Sequence, residues 1–378
     1  MMDSALHSRY IIDGIPQEFS PAEMLSSAGL RLETAVPEQA SEGGRRQTIV
    51  DETVDPILET HPLDAGKVEL YAELVLGTVR SLPLPYSDVY TRVRISGALI
   101  DAIWKKGHFK LGNLALEALW EWDDSPVGAR AAFYRSVQAA AEYTDSLGVS
   151  IAGYSYRKAV QSGVSFNTVQ ENRIGTQARD PFLSDSDDRP VCIHSDRIVP
   201  DALADIPGSW IIYVPFDTSE FRLGGSVLSQ ALGFGGGVSP QICDADYFMD
   251  CYEVVRELVE DGIVLSGTTV SEGGLMTAAG KWCRSTVGTT LDLADMLGSF
   301  EGSDAVRLLF SEVPGVLLQI RDTDFDYVDA EFLLQDVAYF PLGHPERGDK
   351  KVKVKLSPRT GLQNILASLM QQKAEGED

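Results

Sequence analysis

The chain has 378 residues, with 32 Lys and Arg against 56 Asp and Glu, for a formal net charge of −24. Duplex binding needs basic side chains to neutralise phosphates, and anionic lipid surfaces attract the same side chains, so this balance excludes nucleic acid and membrane surfaces as main partners. Hydrophobic residues at 44% and charged residues at 23% describe a globular chain long enough for two domains or one large one.

Residues 1–65 show no sustained apolar periodicity and read as an irregular segment. The N-terminus lacks a basic stretch followed by an apolar one, and no run reaches the roughly 18 apolar residues of a membrane span, so a cytoplasmic chain without membrane insertion is expected. The run LYAELVLGTV (70–79) reads as a strand. Val89, Val93, Leu99, Ile100 and Ile103 lie near helical spacing between Ser87 and Trp104. A clearer helix covers 128–147, with Gly148 at its end, and VSIAG follows as a strand. The polar stretch 172–190 with its DSDD cluster reads as a solvated loop, with a calcium site as the alternative; the EF-hand pattern is absent.

The second half alternates strand and helix. WIIYVPF (210–216) reads as a buried strand, RLGGSVLSQALG (222–233) as a glycine pair opening a short helix, and 244–262 as the strongest helix, with Phe248, Cys251, Val255, Leu258 and Val259 on one face. IVLS (263–266) is a strand, 267–274 a glycine-rich turn and 275–283 a helix. Helices at 304–312 and 331–336 alternate with strands PGVLLQI (314–320) and VAYFPLG (337–343). The layout is α/β or α+β. Cys192, Cys243, Cys251 and Cys283 form no CxxC pair and read as buried free thiols. The five tryptophans read as core or interface aromatics. Lys350, Lys351, Lys353 and Lys355 read as a solvated strand edge that discourages pairing, with a docking site for an acidic partner as the alternative.

Two turns carry candidate chemistry: Gly224, Gly225 and Ser226 ahead of one helix, and Ser271, Gly273 and Gly274 ahead of another. Unpaired backbone N–H groups at a helix N-terminus favour anions, and glycine lets a phosphate or carboxylate approach. Glu272 opposes an anion at the second turn.

LGGSVLSQALG, DADYFMDCYEVVRELVEDGIVLSG, TTVSEGGLMTAA, LLFSEVPGVLLQI and LGHP follow one another in an order that resembles the C-terminal domain of the AIR synthase superfamily, and within it the formylglycinamide ribonucleotide amidotransferases, the PurL family. The likeness extends upstream through TRVRISGALIDAIW and LEALWEWDDSPVGARAAFYRSVQAAAEYTDSLGVSI and covers about 85–354. The resemblance implies an AIR-synthase-like N-terminal sheet domain at 66–175, an acidic linker at 176–205, a C-terminal α/β domain at 206–356, and a C-terminal helix and mobile tail at 357–378. It also implies pairing of N-terminal strands between protomers. If LYAELVLGTVR is such a strand, a homodimer or a related protein partner follows.

The family phosphorylates its substrate with ATP, and carboxylates and Asn hold the Mg²⁺. At the positions the resemblance makes ligands, the helix motif reads Gly97 and Asp101 in place of Glu and Asn, and the His-Asp pair reads Thr268-Thr269. The turn after VSIA reads Gly153-Tyr154-Ser155-Tyr156-Arg157, and the Gly-Glu pair reads Val127-Gly128. The family's glutaminase has no counterpart in this sequence, so ammonia or a partner glutaminase would have to supply nitrogen. These losses lead to the expectation of a catalytically inactive PurL-like scaffold that binds protein and needs no cofactor. The alternatives are an ATP- and Mg²⁺-dependent ligase using Asp101, Asp244 or Glu272, and a nucleotide-binding module without turnover. Asp101 is the single retained metal candidate, and Tyr154 and Tyr156 are expected to fill the space of a missing nucleotide.

Overall fold

The computed structural model describes residues 4–27, 58, 61–62, 64–76, 81–106, 110–170, 191–192, 196–234, 237–283, 287–300, 303–348 and 351–356. The chain opens with α1 (Ser4–His7), a hairpin of β1 (Ile11–Ile12) and β2 (Ile15–Pro16), and α2 (Pro21–Ser27). This part of the segment expected to be irregular is ordered by a capping box. The Ser20 N–H and hydroxyl both donate to Glu23 Oε2 (2.7 and 2.9 Å), and Pro21 opens the helix. The signal, Ser-Pro-Ala-Glu, was present in the sequence.

The run expected to be a strand is instead α3 (Ala65–Leu76). Val68, Tyr71, Ala72 and Val75 recur at helical spacing, and Asp64 Oδ1 accepts the Lys67 N–H at 2.9 Å, capping the first turn. A short apolar run cannot separate strand from helix by periodicity, and here the cap decides. The element proposed to pair protomers through strand addition is therefore not a strand.

Next come α4 (Ser87–Ile103), β3 (Leu114–Trp122), α5 (Ala129–Ser146), β4 (Ser150–Lys158), β5 (Gly163–Gln170) and β6 (Val191–Cys192). Their sheet has the order β4-β3-β5-β6. The β3–β4 pair is parallel and β3–β5 antiparallel. A parallel pair needs a crossover, and α5 supplies it. Trp120 and Trp122 are fully buried against Phe133 of α5, and Tyr156 of β4 meets the same ring.

The remainder runs β7 (Trp210–Pro215), α6 (Val227–Ala231), α7 (Ala245–Glu260), β8 (Val264–Val270), α8 (Gly274–Trp282), β9 (Val287–Asp292), α9 (Ala294–Ser299), α10 (Ala305–Phe310), β10 (Gly315–Ile320), α11 (Phe325–Leu334), β11 (Phe340–Gly343), β12 (Pro345–Arg347) and β13 (Val352–Lys355). The strands form an antiparallel sheet, β11-β7-β10-β8, and a smaller one, β12-β9-β13. The architecture is α/β.

The larger of these sheets is covered on both faces, which explains its continuous apolar runs. Ile212, Val214, Val316 and Leu318 point into a core shared with α4 and α7. Ile211, Tyr213 and Leu317 point into a second core with α8 and α10. The first core takes side chains from both sheets, so α4 is common ground between the two halves.

Four of the five tryptophans are 1% exposed or less, and Trp210 packs in tilted geometry against Phe325 and His344. Cys251 and Cys283 are buried as expected. Cys243 is exposed, because it lies in the loop before α7 rather than on its inner face. The β13 lysines sit on a sheet edge, where Lys353 reaches Glu346 and Lys355 reaches Asp292. The acidic cluster at 172–190 and the tail at 357–378 lie outside the described residues. Among the described residues no helix is long and apolar enough to cross a membrane.

Candidate functional site

One face of α4 meets both glycine-rich turns. Tyr86, Tyr90, Arg94, Gly97 and Asp101 recur at helical spacing, and each engages the C-terminal half. The Tyr86 hydroxyl donates to Gly237 O (2.8 Å) and the Tyr90 hydroxyl to Gly224 O (3.0 Å). A Cβ added at Gly225, where φ is +78°, would stand 2.6 Å from the Tyr86 ring and 2.7 Å from that of Tyr90. Glycine is required here both for the left-handed backbone and for close ring approach.

Further along the face, Arg94 forks onto Glu272 Oε1 through Nε (2.9 Å) and Nη2 (2.8 Å), with both side chains largely buried. Its Nη1 donates to Val164 O of β5 (2.8 Å). Arg94→Ala should therefore deprive a nearly buried carboxylate of its guanidinium, at a cost of about 3–5 kcal/mol. Urea denaturation checks this, and Arg94→Ala with Glu272→Ala should cost less than the sum of the single changes.

Gly97 faces Ser271: a Cβ built on it would lie 3.5 Å from Ser271 Cβ. The last contact is Asp101, whose carboxylate accepts the Thr269 hydroxyl; that hydroxyl in turn accepts the Trp104 indole N–H at 2.9 Å. Asp101 is exposed on α4, with its carboxylate held against Thr269. Loss of hydration there pushes its pKa up, while the Thr269 hydrogen bond, Arg197 and Lys105 pull it back; the net direction is upward. A raised folded-state pKa means ionisation weakens the fold as pH rises through and above the ordinary aspartate value of 3.8. Asp101→Asn should thus gain stability at neutral pH. A pH series of denaturation midpoints should show that gain vanishing as the pH falls below the ordinary value.

The positions that the family resemblance groups together are thus brought together in part. Gly97, Asp101, Thr269 and Ser271 converge. The Gly153–Arg157 segment and Val127-Gly128 do not join them. Tyr154 meets Ser26, Tyr156 meets Asp124, and Arg157 pairs with Glu121. Tyr154 and Tyr156 therefore pack toward α2 and α5. Their alternation on an edge strand turns them to the inner face of the N-terminal sheet. Gly128, with φ +82°, is the left-handed residue before α5.

The two glycine turns themselves are buried and share one acceptor. Glu312, 1% exposed, sits just past α10. Its Oε1 accepts the Val227 N–H at the start of α6 and the Gly273 N–H before α8, both at 2.8 Å. Ser226 caps α6 by accepting the Ser229 N–H. Gly274, φ +69°, lies against the chain after α10: a Cβ there would be 2.7 Å from the carbonyl oxygens of Leu309 and Ser311. Above the second turn, the Tyr71 hydroxyl of α3 lies 3.1 Å from Gly273 O and 2.6 Å from Thr277 Oγ1. Sequence reasoning missed Glu312 and Tyr71, because a single acid after a helix and a tyrosine in an apolar run carry no local signal.

Asp244, another acid considered for a metal, caps α7 by accepting the Tyr247 N–H (3.2 Å) and takes the Thr218 hydroxyl at 2.6 Å. Among the described residues no group of three or more His, Cys, Asp or Glu is placed to hold a metal ion.

The chain is similar to known proteins over part of its length. Residues 207–326 match the family described as AIR synthase related protein, C-terminal domain. Over 254 residues the chain is 24% identical to the "Probable phosphoribosylformylglycinamidine synthase, chloroplastic/mitochondrial" of Arabidopsis thaliana, covering 67% of this chain and 17% of that protein. It is 23% identical over 310 residues to the phosphoribosylformylglycinamidine synthase of Homo sapiens, covering 79% and 22%. The chain thus spans about a fifth of the length of these relatives. Among solved structures, Thermotoga maritima PurL complexed with FGAR superposes with a TM-score of 0.49 at 14% identity, over 73% of this chain and 42% of that one.

Proposed function

We propose that this chain, which is similar to phosphoribosylformylglycinamidine synthases over part of its length, keeps an AIR-synthase-like scaffold without ATP-dependent turnover and acts by binding protein through its surface. The observation that carries this reading is the closure of the site on itself. One backbone N–H at each turn, that of Val227 and that of Gly273, is held by Glu312. Arg94 is committed to Glu272 and Thr269 to Asp101.

Magnesium takes near-octahedral oxygen ligands and is held through carboxylates and phosphate oxygens. The converging positions offer Gly97, Ser271 and Thr269 beside two carboxylates. Glu272 is bound to Arg94, and Asp101 lies in the field of Arg197 and Lys105, whose positive charges oppose a cation. This donor set does not fit Mg²⁺–ATP.

The test is calorimetric titration of the purified chain with ATP and Mg²⁺, then with formylglycinamide ribonucleotide in a second series. The expected result is no heat from a folded protein in either. Binding of both with release of ADP would overturn the reading in favour of a ligase. Saturable ATP binding without ADP would instead make the chain a nucleotide-binding module.

A further inference from the structure

We propose that the outer face of α11 packs against a basic amphipathic helix of a partner protein. This rests on the protein-binding half of the reading above, and the nucleotide titration tests the other half separately. The helix is apolar on two sides. Phe325, Val328 and Phe332 recur at i, i+3 and i+7 on the inner side, where Val328 and Phe332 are fully buried and Phe332 stacks on Tyr339. Tyr327, Ala330 and Leu334 recur at the same spacing on the outer side, with Leu333 beside them. Leu333 is 69% exposed, Leu334 77% and Tyr327 45%. A helix that is apolar all round is ordinarily buried all round. The fold covers one side of this one and leaves an apolar stripe in water.

The stripe is held in shape before any partner arrives. The Asp336 N–H donates to Leu333 O (3.3 Å) and the Val337 N–H to Phe332 O (2.9 Å), with Asp336 at φ +54°. These bonds close the last turn as a Schellman motif, so Leu333 and Leu334 stand on fixed backbone. A partner therefore has little backbone to order on this side of the contact.

Charge complementarity selects the occupant. From Asp322 to Asp336 the chain carries six acids and no Lys, Arg or His. Three of the acids are engaged: Asp322 accepts the Trp210 indole N–H, Asp329 accepts the Tyr339 hydroxyl, and Asp324 faces Arg321. Among the described residues Asp326, Glu331 and Asp336 enter no ion pair, and neither does Asp261 just past α7. Loss of hydration and the carboxylates of Glu331 and Asp261 push the Tyr327 phenol up, so both acids lie beside the stripe. A helix laying apolar anchors along the stripe, with Lys and Arg on its flanks, satisfies both chemistries. A second copy docked about a two-fold axis would set these acids against their own kind.

The experiment uses the full chain and a fluorescent synthetic Leu/Lys amphipathic helix, with a scrambled peptide of the same composition, at physiological ionic strength. Anisotropy should show saturable binding of the amphipathic peptide alone. Leu333→Ser with Leu334→Ser, which leaves the charge untouched, should weaken it about tenfold or more. Asp326→Lys with Glu331→Lys should do the same. Glu69→Lys with Asp295→Lys, an equal charge change elsewhere on the surface, should leave it unchanged. Circular dichroism confirms that each variant is folded. Equal binding of the scrambled peptide, full binding by the serine variant, equal loss in the two lysine variants, or no binding would overturn the proposal. So would sedimentation showing a wild-type dimer that the serine variant dissolves, because the occupant would then be a second copy.

Discussion

Replacing Glu312 by Ala should destabilise the protein by about 2–6 kcal/mol, because two buried backbone N–H groups lose their acceptor and each costs about 1–3 kcal/mol when left unsatisfied. The donors, Val227 and Gly273, open two different helices, and Glu312 itself is 1% exposed. Glu312→Gln retains a carbonyl oxygen for the same donors but loses the charge that strengthens both bonds, so it should fall between wild type and Ala. Urea midpoints for the three proteins check the order. Equal midpoints for wild type and Ala would show that the two turns do not depend on this carboxylate.

Gly274→Ala should be nearly as damaging. The position has φ +69°, and the added methyl carbon would stand 2.7 Å from two backbone carbonyl oxygens. Backbone of that kind strains a non-glycine residue by about 1–3 kcal/mol, and the carbonyls belong to the chain around the end of α10, which has no flexible end to swing aside. A lowered melting temperature and reduced soluble yield are expected. Gly97→Ala is the matched comparison. Its Cβ would make an ordinary contact at 3.5 Å with Ser271, and removing a glycine from a helix interior gains up to about 1 kcal/mol. A Gly274 substitution is consequently a poor probe of ligand binding, since the fold fails before any ligand is lost.

The parts of the fold written in local pattern were legible. Residues 245–260 carry one apolar face and an aspartate cap, and β7 is an unbroken apolar run, as is β10 but for Gln319. Both glycine pairs precede helices as their sequence implied. By contrast, Leu114–Trp122, LALEALWEW, is rich in helix formers yet lies in the centre of a sheet. Pairing on both sides with β4 and β5 overrides its propensity. The site was legible as two separate turns and a set of missing acids. What joins them was not, because Glu312 lies 85 positions from Val227 and 39 from Gly273. The Arg94–Glu272 pair spans 178 positions. Contacts of that separation leave no periodicity to read.

The shared core around α4 bears on how the molecule comes apart. Val93, Leu99 and Ile103 of that helix belong to the same cluster as Trp120 and Phe133 on one side and Val214, Val316 and Phe248 on the other. Neither sheet can shed the helix without exposing apolar surface on both. Amide protons of β3 and β10, in different halves of the chain, should therefore exchange with solvent through a single global opening and at one common free energy. Calorimetry should correspondingly give one endotherm rather than two, so that the two halves behave as one cooperative unit.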